Sequence, residues 1–240
     1  MSNQLKSGFF NELDTDLLKT KKIINYVQYQ ISYQAIEFGW RDFIPNTATK
    51  TIKNKYGDCK DHAVLLYDLL NSNGIKAKLA LVNTENDISK QLPSFGQFDH
   101  MIVYLPEINN GVFVDVTDKD SSLDLLNSPY SLQDYHALVL EQNNSKLIQI
   151  HQISAIHNSL NITRTVVQQQ DNFIYHEIGE INGHFASNFR NYLKDIELDE
   201  LESKILAWVN NYYSDLILEQ FKYHNLYDNS KPLVVEFTFK

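Results

Sequence analysis

The chain's single cysteine lies in Tyr56-Gly57-Asp58-Cys59-Lys60-Asp61-His62-Ala63. Gly57 is turn chemistry, Asp58 is a good helix cap, and the run beyond is apolar at helical spacing. Cys59 therefore falls at or next to the first turn of a helix, where free N–H groups and the helix dipole favour a thiolate. A thiolate that attacks a carbonyl needs an imidazole to move the proton. The imidazole in turn needs an acceptor to orient it.

Of the eight histidines, His100 has such an acceptor. It opens the apolar run His100-Met-Ile-Val-Tyr-Leu105, and Asp115 lies in Val112-Phe-Val-Asp-Val-Thr117. Both runs read as strands, joined by Pro106 to Gly111 with Asn109-Asn110-Gly111 as the turn. A hairpin centred between them puts His100 within one residue of direct opposition to Asp115, in reach of a hydrogen bond. The order helix with Cys59, strand with His100, strand with Asp115 suits a Cys-His-Asp triad, with the thiol within about 4 Å of the imidazole. His62 could touch the thiol from the same helix but has no evident acceptor. His136, His151 and His157 lie near the boundary to a second region, and His176, His184 and His224 lie within it. Taken singly, each member has a plainer role: a small core thiol, a cap at Asp58, an Asp61 that complements the dipole, a structural histidine. Their joint placement favours chemistry.

The elements that must hold these residues can be read along the chain. Asp14 to Ala35 has Leu17, Leu18, Ile24, Val27 and Ile31 at helical spacing, capped by Asp14 or Thr15. Trp40 to Asn46 reads as a loop and Ala48 to Lys55 as a short helix. The Cys59 helix carries Ala63, Leu65, Leu66, Leu69 and Leu70 and stops at Asn73-Gly74. Ala77 to Thr84 is a strand. Glu85 to Phe98 is a loop, either a substrate-contacting lid or a solvated connector. Ala137–Leu140 and Lys146–Ile150 form a further hairpin. These elements give an α+β core over residues 1–150, with N-terminal helices packed on an antiparallel sheet.

Residues 151–240 form a smaller mixed β/α region. Strands are expected over Leu160–Val167 and Asn172–Ile181, and a helix over Gly183–Leu193. A longer helix is expected over Leu198–Phe221. The terminal strand pattern, Leu233 to Lys240, has no partner after it, as in an excised fragment.

A hydrophobic share of 43% supports a sizeable core. A net charge of −9 argues against a nucleic-acid surface. One cysteine excludes an internal disulfide and a Cys-based zinc site, and no cofactor or metal is implied. No apolar run approaches the length of a transmembrane helix. Met1 to Asp16 lacks the layout of a secretory signal.

Gly57-Asp58-Cys59-Lys60-Asp61, Leu65-Leu66, Leu69-Leu70 and Gly74-Ile75-Lys76-Ala77 resemble the core of the transglutaminase-like superfamily. The likeness is strongest to the bacterial branch that follows a β-rich DUF3857 domain. Tyr26-Val27, Ile31-Ser32-Tyr33, Glu37-Phe38-Gly39, Pro45, Leu92-Pro93-Ser94, Phe98-Asp99-His100 and Asp115-Val116-Thr117 extend it. The resemblance covers about residues 15 to 150 well and the remainder weakly. It implies a papain-like fold with Cys59 as nucleophile, His100 as base and Asp115 as orienter. Lookalikes often belong to the cell envelope. Two positions depart from the family pattern. Asp99 replaces a commoner Asn and could raise the imidazole pKa. Val116 replaces a commoner Pro and could alter the strand end.

The expected activity is cysteine-based acyl transfer on amide bonds of a peptide or protein substrate, most simply a peptidase or amidase. A protein-glutamine transglutaminase using an amine acceptor, and a silent binding or scaffold module, are the alternatives. The oxyanion would meet the Cys59 N–H and a side-chain donor from Trp40, Tyr56 or Gln97.

Overall fold

The computed structural model describes residues 9–35, 43–91, 94–119, 128–197, 199–211 and 216–240. The chain divides into two compact units, one holding residues up to 119 and the segment ending at Ile153, the other holding Ser154–Lys240. Glu37-Phe38-Gly39, Trp40 and Leu92-Pro93 from the resemblance and the donor set lie outside the described residues, as do Leu198, Tyr212 and Tyr213 of the expected long helix.

In the first unit, helix α1 (Asp16–Gln30) is capped by Thr15, whose hydroxyl accepts from the Leu18 N–H at 3.2 Å. Asp14 instead accepts from Lys22 at 2.6 Å and from the Asn11 N–H. The buried stripe is Thr20, Ile23, Ile24, Val27 and Gln28; Leu17 and Leu18 are exposed, contrary to the spacing argument. The helix stops early because Ser32–Tyr33 leaves it as strand β1. That strand pairs in parallel with β2 (Tyr56–Gly57), directly before the cysteine. Helix α2 (Ala48–Asn54) is capped by Thr47.

Helix α3 (Cys59–Ser72) begins at the cysteine. The Asp58 carboxylate accepts from the Lys60 and Asp61 N–H groups, and Gly74 at φ 80° ends the helix in the left-handed region. Leu65, Leu66, Leu69 and Leu70 are all buried. Burying a leucine side chain contributes about 1.5–3 kcal/mol, so this face holds the Cys59 helix firmly in the core.

The sheet of this unit has the order β5-β4-β3-β6-β7 and is antiparallel throughout. Its strands are β3 (Lys78–Val82), β4 (His100–Leu105), β5 (Val112–Val114), β6 (His136–Val139) and β7 (Lys146–Gln149). The β4–β5 turn uses Asn109, Asn110 and Gly111, all at positive φ. Ala80, Val82, Ile102, Phe113, Ala137 and Val139 form a buried cluster across four of the strands.

The second unit is a four-stranded sheet, β10-β11-β9-β8, with two helices. Strands β8 (Leu160–Gln169) and β9 (Asn172–Ile181) form a tight hairpin, and α4 spans Gly183–Lys194. The expected helix over Leu198–Phe221 is overturned. Helix α5 covers only Leu201–Asn210, and Leu218–His224 is strand β10. The terminal strand β11 (Leu233–Phe239) is paired on both sides, with β10 and with β9, so it is an inner strand rather than a partnerless one. The buried Arg190 guanidinium donates to the carbonyls of Asn225, Asp228 and Lys231, holding the β10–β11 loop. Among the described residues no helix is long and apolar enough to cross a membrane.

Candidate active site

Cys59 opens α3 and is buried. Within the first turn the cap takes the Lys60 and Asp61 N–H groups, and the Asp58 carbonyl accepts the His62 N–H at 3.0 Å. The Cys59 N–H has no partner among the described residues, which suits an oxyanion donor. Asp58 is fully buried, and the Lys60 ammonium lies 3.1 Å from its second oxygen. The pair places a compensated charge, rather than a bare carboxylate, beside the thiol.

Asp61 does more than complement the dipole. It is fully buried and accepts from the Asn46 backbone N–H at 2.6 Å and from its side-chain amide at 3.1 Å. That fastens the turn before α2 to the helix that Cys59 opens. Gly57 makes this packing possible, since a Cβ there would lie 2.5 Å from the Asp61 Cβ.

His100 Nε2 is 2.8 Å from Asp115 Oδ2, the hydrogen bond expected from the hairpin. The register differs in detail. Strands β4 and β5 pair Val103 with Val114 and Leu105 with Val112. Continued past the end of β5, that register sets Thr117 across from His100 and Asp115 diagonal to it. A one-residue offset would have put the two side chains on opposite faces, whereas the diagonal keeps them on one. Cys59 is among the groups that raise the pKa of the same imidazole, so the thiol lies in its neighbourhood. Nε2 is taken by Asp115, which leaves Nδ1 for a second partner.

Burial pulls the His100 pKa down and is the largest single influence. The hydrogen bonds from Asp115 and Cys59, with the charges of both, together outweigh it and raise the pKa from 6.5 to about 10. Burial pushes Asp115 up, but the His100 hydrogen bond and charge and two bonds from Thr117 hold the carboxylate below its ordinary value. The pair therefore stands as imidazolium and carboxylate at neutral pH.

Thr117 has no role in the sequence reading. Its N–H and hydroxyl reach Asp115 Oδ1 at 2.9 and 2.7 Å, leaving Oδ2 for the imidazole. The following carbonyls of Asp118 and Lys119 accept from Gln28 and Tyr29 of α1. The signal was the small polar residue two positions after the aspartate, which is legible as an Asx-type turn.

The remaining candidates separate clearly. His62 is buried with Nδ1 at 2.8 Å from the Asp58 carbonyl and Nε2 at 3.3 Å from that of Ile31, so its ring serves backbone rather than thiol. His136 lies 3.0 Å from Asp87 and His224 2.7 Å from Glu236, so each imidazole is committed to a carboxylate of its own. Asp99 turns to Thr84, at 2.9 and 2.8 Å, and not to the imidazole. It is absent from the causes of the His100 shift. The Gln97 amide is spent on the Ser89 backbone, at 2.7 and 3.3 Å. Tyr56 lies in β2, and Trp40 is outside the described residues. Among the described residues no cluster of His, Cys, Asp and Glu could hold a metal ion.

Residues 3–118, which carry this thiol, imidazole and carboxylate, match the family model of the transglutaminase-like superfamily. Over that segment, just under half of its length, the chain is similar to the superfamily's core, within an α+β fold. No curated protein matches the sequence. Among solved structures the chain is similar to a "putative protease" from Parabacteroides distasonis ATCC 8503, with 9% identity and a TM-score of 0.44. The match covers 94% of this chain and 53% of the other, so the chain spans about half that protein's length.

Proposed function

We propose that the transglutaminase-like core is a cysteine acyl-transfer enzyme that hydrolyses amide bonds in a peptide or protein, with Cys59, His100 and Asp115 as its triad. The observation that carries this is the His100 imidazole held by the Asp115 carboxylate at 2.8 Å, with Cys59 at the start of α3 among the groups that raise its pKa. Cys59 as thiolate attacks the carbonyl carbon and forms a C–S bond. The Cys59 N–H meets the oxyanion. As the C–N bond breaks, His100 gives its Nδ1 proton to the departing amine. Neutral His100 then takes a proton from water, which attacks the thioester and releases the acid and the thiolate. Asp115 holds the ring through Nε2 throughout. Water needs no dedicated second-substrate site, which favours hydrolysis over transamidation.

Iodoacetamide labelling across pH tests the nucleophile. Cys59 is expected to label well below about pH 8, the ordinary range for a free thiol, and to slow in His100→Ala. An ordinary free-thiol profile, unchanged by that substitution, sinks the enzyme reading. A peptide incubated with and without a primary amine, read by mass spectrometry, separates hydrolysis from amine transfer.

A further inference from the structure

Large aromatic side chains are exposed on two loops, the turn before α2 and the loop that runs into β4. Phe43 is 67% exposed and Phe95 65%, and Ile44 is also exposed. Their rings are not scattered. Phe43 and Phe95 lie 6.3 Å apart, and Phe95 and Phe98 lie 6.2 Å apart. Scattered single hydrophobes on a surface need no explanation, but a contiguous cluster does.

Both loops are tied to the reacting groups. Phe43 and Ile44 precede Asn46, whose backbone and side chain are held by Asp61, two residues beyond Cys59. Phe98 precedes His100 by two residues, about 7 Å of extended chain. The Phe43–Phe95 contact therefore bridges the turn fastened to the nucleophile's helix and the loop that runs into the base's strand.

The loop is also fixed in shape. The Gln97 amide bonds Ser89 in both directions, Asn83 donates to the Gln97 carbonyl at 2.6 Å, and Asp99 is held by Thr84. Behind it lies a hollow of about 400 Å³ whose apolar walls include Ile88, Phe95, Phe98, Leu138 and Leu147. A pinned apolar wall with a recess is suited to receive a side chain.

We infer that the Phe43–Phe95–Phe98 cluster is a subsite for a bulky aromatic or aliphatic side chain on the residue next to the amide that Cys59 attacks. This rests on the enzyme reading above and names its substrate class: peptides with an aromatic or large aliphatic residue beside the scissile bond. An acidic or glycine residue there gains nothing from these rings.

The experiment compares peptidyl chloromethyl ketones carrying Phe, Gly or Asp next to the electrophile, with iodoacetamide as a control lacking a side chain. Labelling of Cys59 is followed by intact mass. The Phe probe is expected to react roughly 10-fold faster than the Gly probe, as partial burial of one aromatic side chain would give. In Phe43→Ala/Phe95→Ala that advantage falls below about 3-fold, with the iodoacetamide rate unchanged. Both residues are exposed, and an unchanged thermal midpoint confirms that the variant folds. Equal rates for all three peptide probes, or a Phe advantage that survives in the double variant, overturn the subsite. His100-independent labelling by iodoacetamide overturns the enzyme reading beneath it, and the two failures are thereby told apart.

Discussion

The two units put their buried polar groups to different uses. In the first, Asp58, Lys60, Asp61 and His62 are all buried and lie within three residues of Cys59. Each bonds something that fixes the start of α3: its own cap, the Asn46 turn, or the carbonyl of Ile31. In the second, the largest fully buried side chain is Arg190, which spends itself on three loop carbonyls far in sequence from any nucleophile. Burying charge is costly, and a fold that tolerates it around a thiol has a use for the resulting rigidity. The cost at Arg190 is met by the carbonyls of a loop. A buried charge is therefore more informative about function when several gather around one thiol than when it holds a loop.

The sharpest way to break this contrast is at the orienting carboxylate. Asp115→Asn is expected to lower amide hydrolysis by roughly 100-fold or more, as loss of the orienting anion does in such triads. NMR should show the His100 pKa falling from about 10, since burial is then opposed only by Cys59. The sign of the stability change follows from the same shift. A histidine raised from 6.5 contributes stability that is fully present below pH 6.5 and lost as pH climbs through the raised value. In the unsubstituted chain the thermal midpoint should fall over that window. It should fall less with His100→Ala added. A flat profile in both proteins contradicts the raised value.

Arg190→Leu tests the other side. Three carbonyls lose their donor, and unfolding of the second unit should become easier by about 2–4 kcal/mol in a denaturant titration. Iodoacetamide labelling of Cys59 should keep its pH profile. A changed profile would show that this charge does serve the thiol, and the contrast would fall. The smallest effect is expected from Thr117→Val. It removes one of the two bonds to Asp115 Oδ1 and keeps the backbone one, for a loss of roughly 3- to 10-fold in kcat with KM little changed. Thr117→Ser should restore most of it, which a purely packing role for the threonine would not predict.

Sequence alone revealed much of the first unit because its signals are local. Asp58 as cap, Cys59 at the helix start, Gly74 as stop and the asparagine turn between β4 and β5 each follow from a few adjacent residues. What escaped notice is either too short to have a period or depends on distant partners. The β1–β2 pairing is two residues long. Asp99 and Asp61 find their partners, Thr84 and Asn46, only once the chain is folded. In the second unit, Leu216, Ile217 and Phe221 continue a helical spacing from α5 into what is strand β10. That strand has a register shift between Leu218 and Gln220, which breaks the alternation that would have marked it. The pairing of β11 with β9, across the whole helical segment, leaves no local trace.

Gly57 sets how little change the site will accept. A single methyl group at this position would lie 2.5 Å from the Asp61 Cβ, with that carboxylate's Oδ2 at 2.8 Å. The obstacle is the root of a neighbouring side chain and not its flexible end, so no rotation clears it. The strand before the cysteine and the helix after it would have to part. The displaced residue would be Asp61, which also holds the turn carrying Phe43 and Ile44. A substitution at Gly57 would thus disturb the start of the Cys59 helix and the turn that carries Phe43 together, although Gly57 itself belongs to neither.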